Sequence, residues 1–164
     1  MTTMIKAVIG IDPGKSGGIA VYKGGNTIEA LPCPGSPRDM ADSVNSTVNN
    51  FVIEGIPTSK ILVAIENVHA FPTDSRSSSF KFGTNFGTWL GICAANRLEV
   101  VLISPIVWMK KYREHIIYGD IPKEKLERKR HLKLLASSYF QDARVTLKTA
   151  DAILIAKYKF EELA

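Results

Sequence analysis

The stretch VIGIDPGKSGGIAV, residues 8–21, places a carboxylate, Asp12, at the end of an apolar run and follows it with Pro13, Gly14, Gly17 and Gly18. An apolar β-rich segment, a glycine turn and a second β-rich segment read as an antiparallel hairpin. Glycine allows the positive φ angles of a tight turn and leaves space beside the acid for a ligand. A lone aspartate in such a place is more often a turn cap, so the meaning of Asp12 rests on the acids that follow. Gly14, Lys15 and Ser16 imitate the end of a phosphate-binding P-loop. That motif needs Gly-x-x-x-x-Gly-Lys-Ser between a strand and a helix. Position 9 is Ile, Gly10 lies one residue too close, and residues 18–23 continue as a strand, which excludes the P-loop.

Outward from the hairpin, residues 5–11, 18–22 and 27–31, the last after the Gly24-Gly25-Asn26 turn, predict a three-stranded antiparallel meander. Ser36-Pro37 opens a helix with Met40, Val44, Val48 and Phe51 at helical spacing, its apolar stripe directed at the meander. Residues 61–65 are continuously apolar and end in Glu66, the pattern of a strand covered on both faces and reached by a parallel crossover. A polar loop over residues 73–79 precedes a helix over 80–96, in which Gly83, Gly87 and Gly91 recur every fourth residue. Helical glycines cost stability, so a shared glycine face implies close backbone approach, with packing on the sheet favoured over a subunit interface. A strand over 98–103 follows, then a helix opened by Ser104-Pro105 and carrying Trp108. A basic helix spans residues 122–140 with Leu126, Leu132, Leu135 and Ala136 on its inner face, and a last helix spans 148–158 with Asp151 in its first turn. The order β-β-β-α-β-α-β-α-α-α describes one α/β domain over residues 1–164, with a central mixed sheet flanked by helices.

With 164 residues, 45% of them hydrophobic and 23% charged, the chain suits one globular domain with a real core. No apolar run approaches the roughly 20 residues that span a bilayer, and the start MTTMIK lacks a signal pattern, so no membrane association and a cytoplasmic location are expected. Cys33 and Cys93 lack disulfide or zinc spacing and read as small core residues. The net charge of +5 is modest, but Lys110, Lys111, Arg113, Lys123, Lys125, Arg128, Lys129, Arg130 and Lys133 crowd one tract. Such a run is usually a solvated helix face; it also suits a phosphate backbone.

If the first and fourth strands are parallel neighbours, Asp12 and Glu66 emerge together at one sheet end, and a helix starting there brings Asp151 beside them. Three carboxylates so close raise one another's pKa values unless a cation lies between them. Hard oxygen ligands with sites left for water and phosphate suit Mg²⁺ or Mn²⁺, and two such ions can hydrolyse a phosphodiester. Asp151 alone could be just an acid near a helix N-terminus. Together with the basic tract, the three acids favour a metal-dependent nuclease.

GIDPGKSGGIAV, AIENVHAFP, the Phe82-Gly83 and Trp89-x-Gly91 helix, SPIVWMKKY and TADAILIAKY appear in that order over nearly the whole chain. In this the chain resembles the RuvC-type Holliday junction resolvases, the compact phage versions most closely. The resemblance implies a ribonuclease H-like fold, a homodimer, no small-molecule cofactor, and paired symmetric incisions at four-way DNA junctions leaving 5′ phosphate and 3′ hydroxyl ends. It assigns Asp12 as the acid bridging two metal ions, with Glu66 and Asp151 as further ligands. One helical turn before the last Asp the family has an acid or His; this chain has Lys148. A protonated ammonium is no metal ligand, so Lys148 is expected to contact the scissile phosphate or stabilise developing charge. Where the family carries an aromatic near the junction centre this chain has His69, with Phe71 close by: a stacking wedge, or a partly buried loop histidine, which is favoured. His115 and His131 read as surface residues. The expected DNA contacts are Lys15, Ser16, His69, Lys81, Lys110, Lys111, Arg113, Lys123, Lys125, Arg128, Lys129 and Lys133.

Other readings are a related nuclease acting on flaps or RNA, and a junction-binding module without catalysis, suggested by Lys148. The Asp-Gly segment also resembles the first phosphate motif of actin-like ATPases and sugar kinases. Those enzymes close two domains over a nucleotide, which a single domain of this size does not supply.

Overall fold

The computed structural model describes residues 4–69, 72–113 and 121–164. Five strands, β1 (Ala7–Asp12), β2 (Gly18–Tyr22), β3 (Glu29–Pro32), β4 (Ile61–Glu66) and β5 (Glu99–Ile103), form one sheet in the order β3-β2-β1-β4-β5. β1 to β3 pair antiparallel, while β4 runs parallel to both β1 and β5. Every residue of β1 and β4 is buried. That is why both read as unbroken apolar runs rather than as alternating strands.

Helices α1 (Pro37–Ile53) and α2 (Arg76–Ala95) cover one face; α3 (Pro105–Arg113), α4 (Lys125–Tyr139) and α5 (Ala150–Leu163) cover the other. The α1 stripe of Met40, Val44, Val48 and Phe51 packs on Ile9, Ile11 and Ile19, and Ser36 caps the helix by accepting from the Asp39 amide. On the opposite face Ala152, Ile153, Leu154, Ile155 and Ala156 of α5 are fully buried. α5 lies unusually close to the sheet at Gly10, where a methyl group would stand 2.3 Å from the Ala152 carbonyl oxygen and 2.7 Å from the Ala156 nitrogen.

The element order agrees with the sequence reading, and the boundaries differ where polar side chains act as caps. Ser75 accepts from the Ser78 amide, so α2 begins at Arg76 inside the serine-rich stretch read as loop. Glu124 accepts from the Glu127 amide, so α4 begins at Lys125 and leaves Pro122 ahead of it. Lys148 lies in the turn before α5 rather than within it, and that helix runs on to Leu163. β3 starts at Glu29 because the turn through Gly24 and Gly25, with φ of 90° and 78°, is wider than read.

Three packing expectations need correction. Gly83, Gly87 and Gly91 do not pack on the sheet: they are exposed, and an added methyl at each would meet nothing within 4 Å. Trp89 and Cys93, with Phe86 and Leu90, are bulkier and take the sheet side of α2. Leu126 is 48% exposed, whereas Leu132, Leu135 and Ala136 are buried, because the first turn of α4 overhangs the core. Finally, Gly14, Gly17 and Gly18 do not adopt positive φ. Their missing side chains serve close packing instead, since a methyl on Gly17 would stand 2.1 Å from the Asp12 carbonyl oxygen and one on Gly18 2.7 Å from that of Lys148.

Candidate active site

β1 and β4 end side by side, with Ile11 opposite Ile65, so Asp12 and Glu66 leave the sheet at the same edge. α5 starts over that edge and contributes Asp151 from its first turn. The turn before it is fastened by Thr146 and Thr149, whose backbone amides and hydroxyls bond reciprocally at 3.0 and 3.2 Å. All three carboxylates are buried, at 7%, 8% and 8% exposure for Asp12, Glu66 and Asp151.

Buried acids need partners. The Gly14 amide donates to Asp12 Oδ1 at 3.2 Å. The indole N–H of Trp108 donates to Glu66 Oε1 at 3.0 Å. The ammonium of Lys129 stands 3.4 Å from Asp12 Oδ2 and 3.1 Å from Asp151 Oδ2. Asp151 Oδ1 is buried without any hydrogen-bond partner. Burial, then the charges of Asp12 and Asp151, push the Glu66 carboxyl up to about 8. Burial likewise raises Asp151, against the pull of Lys129. Burial works against the Lys129 ammonium, but Asp151 and Asp12 outweigh it and hold its pKa above the usual value.

Two clefts flank the acids. One, of about 530 Å³, is lined by Lys15, Lys81, Lys148, Phe82 and Asn85 among others. Asn85 of α2 donates to the Pro13 carbonyl and so fastens the loop behind Asp12. The second, of about 400 Å³, is lined by Ser16, Leu147 and Lys148 and by Glu124, Lys125, Leu126 and Lys129. Lys148 borders both clefts and is exposed, and no carboxylate is paired with it among the described residues.

The fold thus gathers Asp12, Glu66 and Asp151, and it adds Lys129 as their cation, a residue the sequence placed among DNA contacts. Lys15, Ser16, Lys81, Lys125 and Lys148 border the clefts. Lys110, Arg113, Lys123 and His69 are exposed, and Arg128 and Lys133 half-exposed. Arg128 donates to the Lys123 carbonyl at 3.0 Å. Lys111 faces Glu161 at 3.8 Å, near the far end of α5, and is not brought to the acids. His69 is exposed rather than partly buried, and His131 is half-buried and engaged. Phe71 and His115 lie outside the described residues. Sequence reasoning missed Trp108 and Asn85 as partners; a tryptophan beside the acids, whose buried N–H commonly finds an acceptor, was the signal available for the first, although that of Trp89 has none.

Neither a family model nor a curated protein matches this chain. Solved structures do. Thermus thermophilus RuvC superimposes with a TM-score of 0.54 at 18% identity, covering 95% of each chain. T. thermophilus RuvC in complex with Holliday junction substrate gives 0.58 at 17% identity, covering 95% of this chain and 94% of that one. The fold is that of RuvC. The yeast mitochondrial Holliday junction resolvase Ydc2 follows at 0.53 and 12% identity, covering 98% of this chain and 80% of its own. The mixed five-stranded sheet with helices on both faces is the ribonuclease H-like arrangement, and the RuvC fold extends over nearly the whole chain. No helix among the described residues is long and apolar enough to cross a membrane.

Proposed function

We propose that this chain is a structure-specific endodeoxyribonuclease that resolves four-way DNA junctions. The observation that carries this reading is the meeting of Asp12, Glu66 and Asp151 at one sheet end, on the fold of a protein solved in complex with Holliday junction substrate.

Among the described residues, no group of three or more His, Cys, Asp or Glu side chains is arranged so as to hold a metal ion. Lys129 stands between two of the acids instead. The donors nonetheless fit a hard divalent cation: they are carboxylate oxygens, and Asp151 Oδ1 is a buried acceptor lacking a partner. Asp12, Glu66 and Asp151 would hold Mg²⁺ or Mn²⁺, two ions per subunit. The chemistry such ions supply when bound is activation of the attacking water and stabilisation of the leaving oxygen. Lys129 offsets the charge of Asp12 and Asp151, and its ammonium would pair with substrate phosphate were the acids to hold a divalent cation. Lys148, between the clefts, grips the strand being cut. Lys15 and Lys81 extend that grip, and Phe82 offers a ring beside it.

Paired nicks require two active sites. We assign them to a homodimer, for which the exposed α2 face of Gly83, Gly87 and Gly91, with Phe80 76% exposed nearby, offers a surface left open in the single chain. The test is incubation with labelled four-way, Y-shaped, linear duplex and RNA–DNA hybrid substrates in Mg²⁺ and in Mn²⁺. Symmetric nicks confined to the four-way junction are expected; equal cutting of all four would overturn the reading.

A further inference from the structure

We propose that Trp108 is a positioning residue for Glu66, and that with Tyr112 it makes α3 a brace between the strand and the helix that carry two of the acids. The inference rests on the metal-dependent reading above. Trp108 is fully buried, and its indole N–H, which can only donate, bonds Glu66 Oε1 at 3.0 Å. Four residues on, along the same face of α3, the Tyr112 ring meets the indole edge-on at 6.2 Å and 70°. The Tyr112 hydroxyl donates at 2.8 Å to the Leu154 carbonyl, one turn beyond Asp151 on α5. One short helix therefore touches the Glu66 carboxylate directly and the α5 backbone near Asp151.

The chemistry follows from the donor. An N–H on one carboxylate oxygen fixes the side-chain rotamer, favours the anion and leaves Oε2 to face a cation. Outer partners of metal-binding carboxylates typically change metal affinity 10- to 100-fold when removed. An aromatic serving only to fill the core would leave that affinity alone if replaced by another aromatic.

Mn²⁺ binding by the full chain, measured calorimetrically, tests this without reference to cleavage. Trp108→Phe should remain folded and bind Mn²⁺ about 10- to 100-fold more weakly, with junction binding in EDTA unchanged. Tyr112→Phe, which keeps the ring and loses the hydroxyl, should bind it about 2- to 10-fold more weakly. Wild-type affinity in a folded Trp108→Phe variant would overturn the proposal while leaving the nuclease reading intact. Failure of the wild-type chain itself to bind Mn²⁺ would overturn both. Should Trp108→Phe not fold, the indole N–H resonance of the wild-type protein, told from that of Trp89 by Trp89→Phe, must shift when Mg²⁺ is added. A stationary resonance would refute the brace.

Discussion

The ammonium of Lys129 lies 3.1 Å from Asp151 Oδ2, and the same nitrogen reaches Asp12 Oδ2 at 3.4 Å. A residue from the basic helix thus sits where two carboxylates converge and supplies the charge that lets them be buried together. Positive charge within this acidic cluster and along the surrounding surface has different work to do. Under the proposed function, the ammonium among the acids would compete with a metal ion and pair with substrate phosphate when that ion is held, while the cations at the cleft rims would attract the phosphate backbone.

Lys129→Met should therefore separate two effects. Removing the competing ammonium should tighten Mn²⁺ binding several-fold, on the order of one screened ion pair, while cleavage of a four-way junction under single-turnover conditions falls at least about tenfold through loss of the phosphate contact. Calorimetry and a gel-based cleavage assay give the two readings. Weaker metal binding in the variant would contradict the competition.

Glu66, raised to about 8 by burial and by its acidic neighbours, binds its proton more tightly folded than unfolded. Its contribution to stability is complete below the unfolded-state value near 4.5 and is lost as pH rises through about 8. The melting temperature of the metal-free protein should fall between pH 5 and 8.5, and Glu66→Gln should flatten that slope. Saturating Mg²⁺ should restore stability most at the alkaline end, where no proton competes for the carboxylate.

Asp12→Asn, Glu66→Gln and Asp151→Asn should each lower cleavage by about 10³-fold or more while retaining junction binding in gel shifts. Glu66→Gln should leave the metal-free protein about as stable as the wild type near neutral pH, where the carboxyl is already protonated, whereas Asp12→Asn and Asp151→Asn should cost stability by removing a partner of the Lys129 ammonium. Lys148→Ala should lose about 10- to 100-fold in cleavage with the metal requirement unchanged. Activity in Asp151→Asn would defeat the metal assignment, and full activity in Lys148→Ala would remove that lysine from the reaction.

The fold was legible because its central strands are buried on both faces: the runs before Asp12 and Glu66 leave few alternatives to a parallel pair. The two acids were legible for the same reason, since a charge that ends a doubly covered strand must face the sheet edge. Lys129 was not, because in sequence it is one cation among nine and its direction depends on how α4 is rotated over α5. The glycine stripe on α2 was read inward because spacing cannot say which side of a helix the bulkier neighbours claim; Trp89 and Cys93 decided that. Helix starts slipped where Ser75 and Glu124 act as caps, side chains whose roles depend on backbone directions that composition does not reveal.

A substitution at Gly87 separates the stability of the single chain from the proposed dimerisation. A methyl group there meets nothing within 4 Å in the single chain and Gly87 lies on an exposed face, so Gly87→Leu should stabilise the isolated fold by about 0.5–1 kcal/mol through helix propensity. Light scattering should at the same time show loss of the dimer, and junction nicking should lose its paired character. A stable dimer in the variant would move the interface elsewhere.

Gly10 has a consequence of another kind. A methyl there would push against the backbone of α5 at Ala152 and Ala156, not against a side chain that could swing aside. The thickness of one carbon atom on β1 therefore gauges how deeply the helix bearing Asp151 can seat, and so how far that acid stands from Asp12. An alteration at Gly10, remote from any proton or phosphate, would act as a wedge under a lever. It would detune the reaction centre by changing a length, with every reacting group left chemically intact.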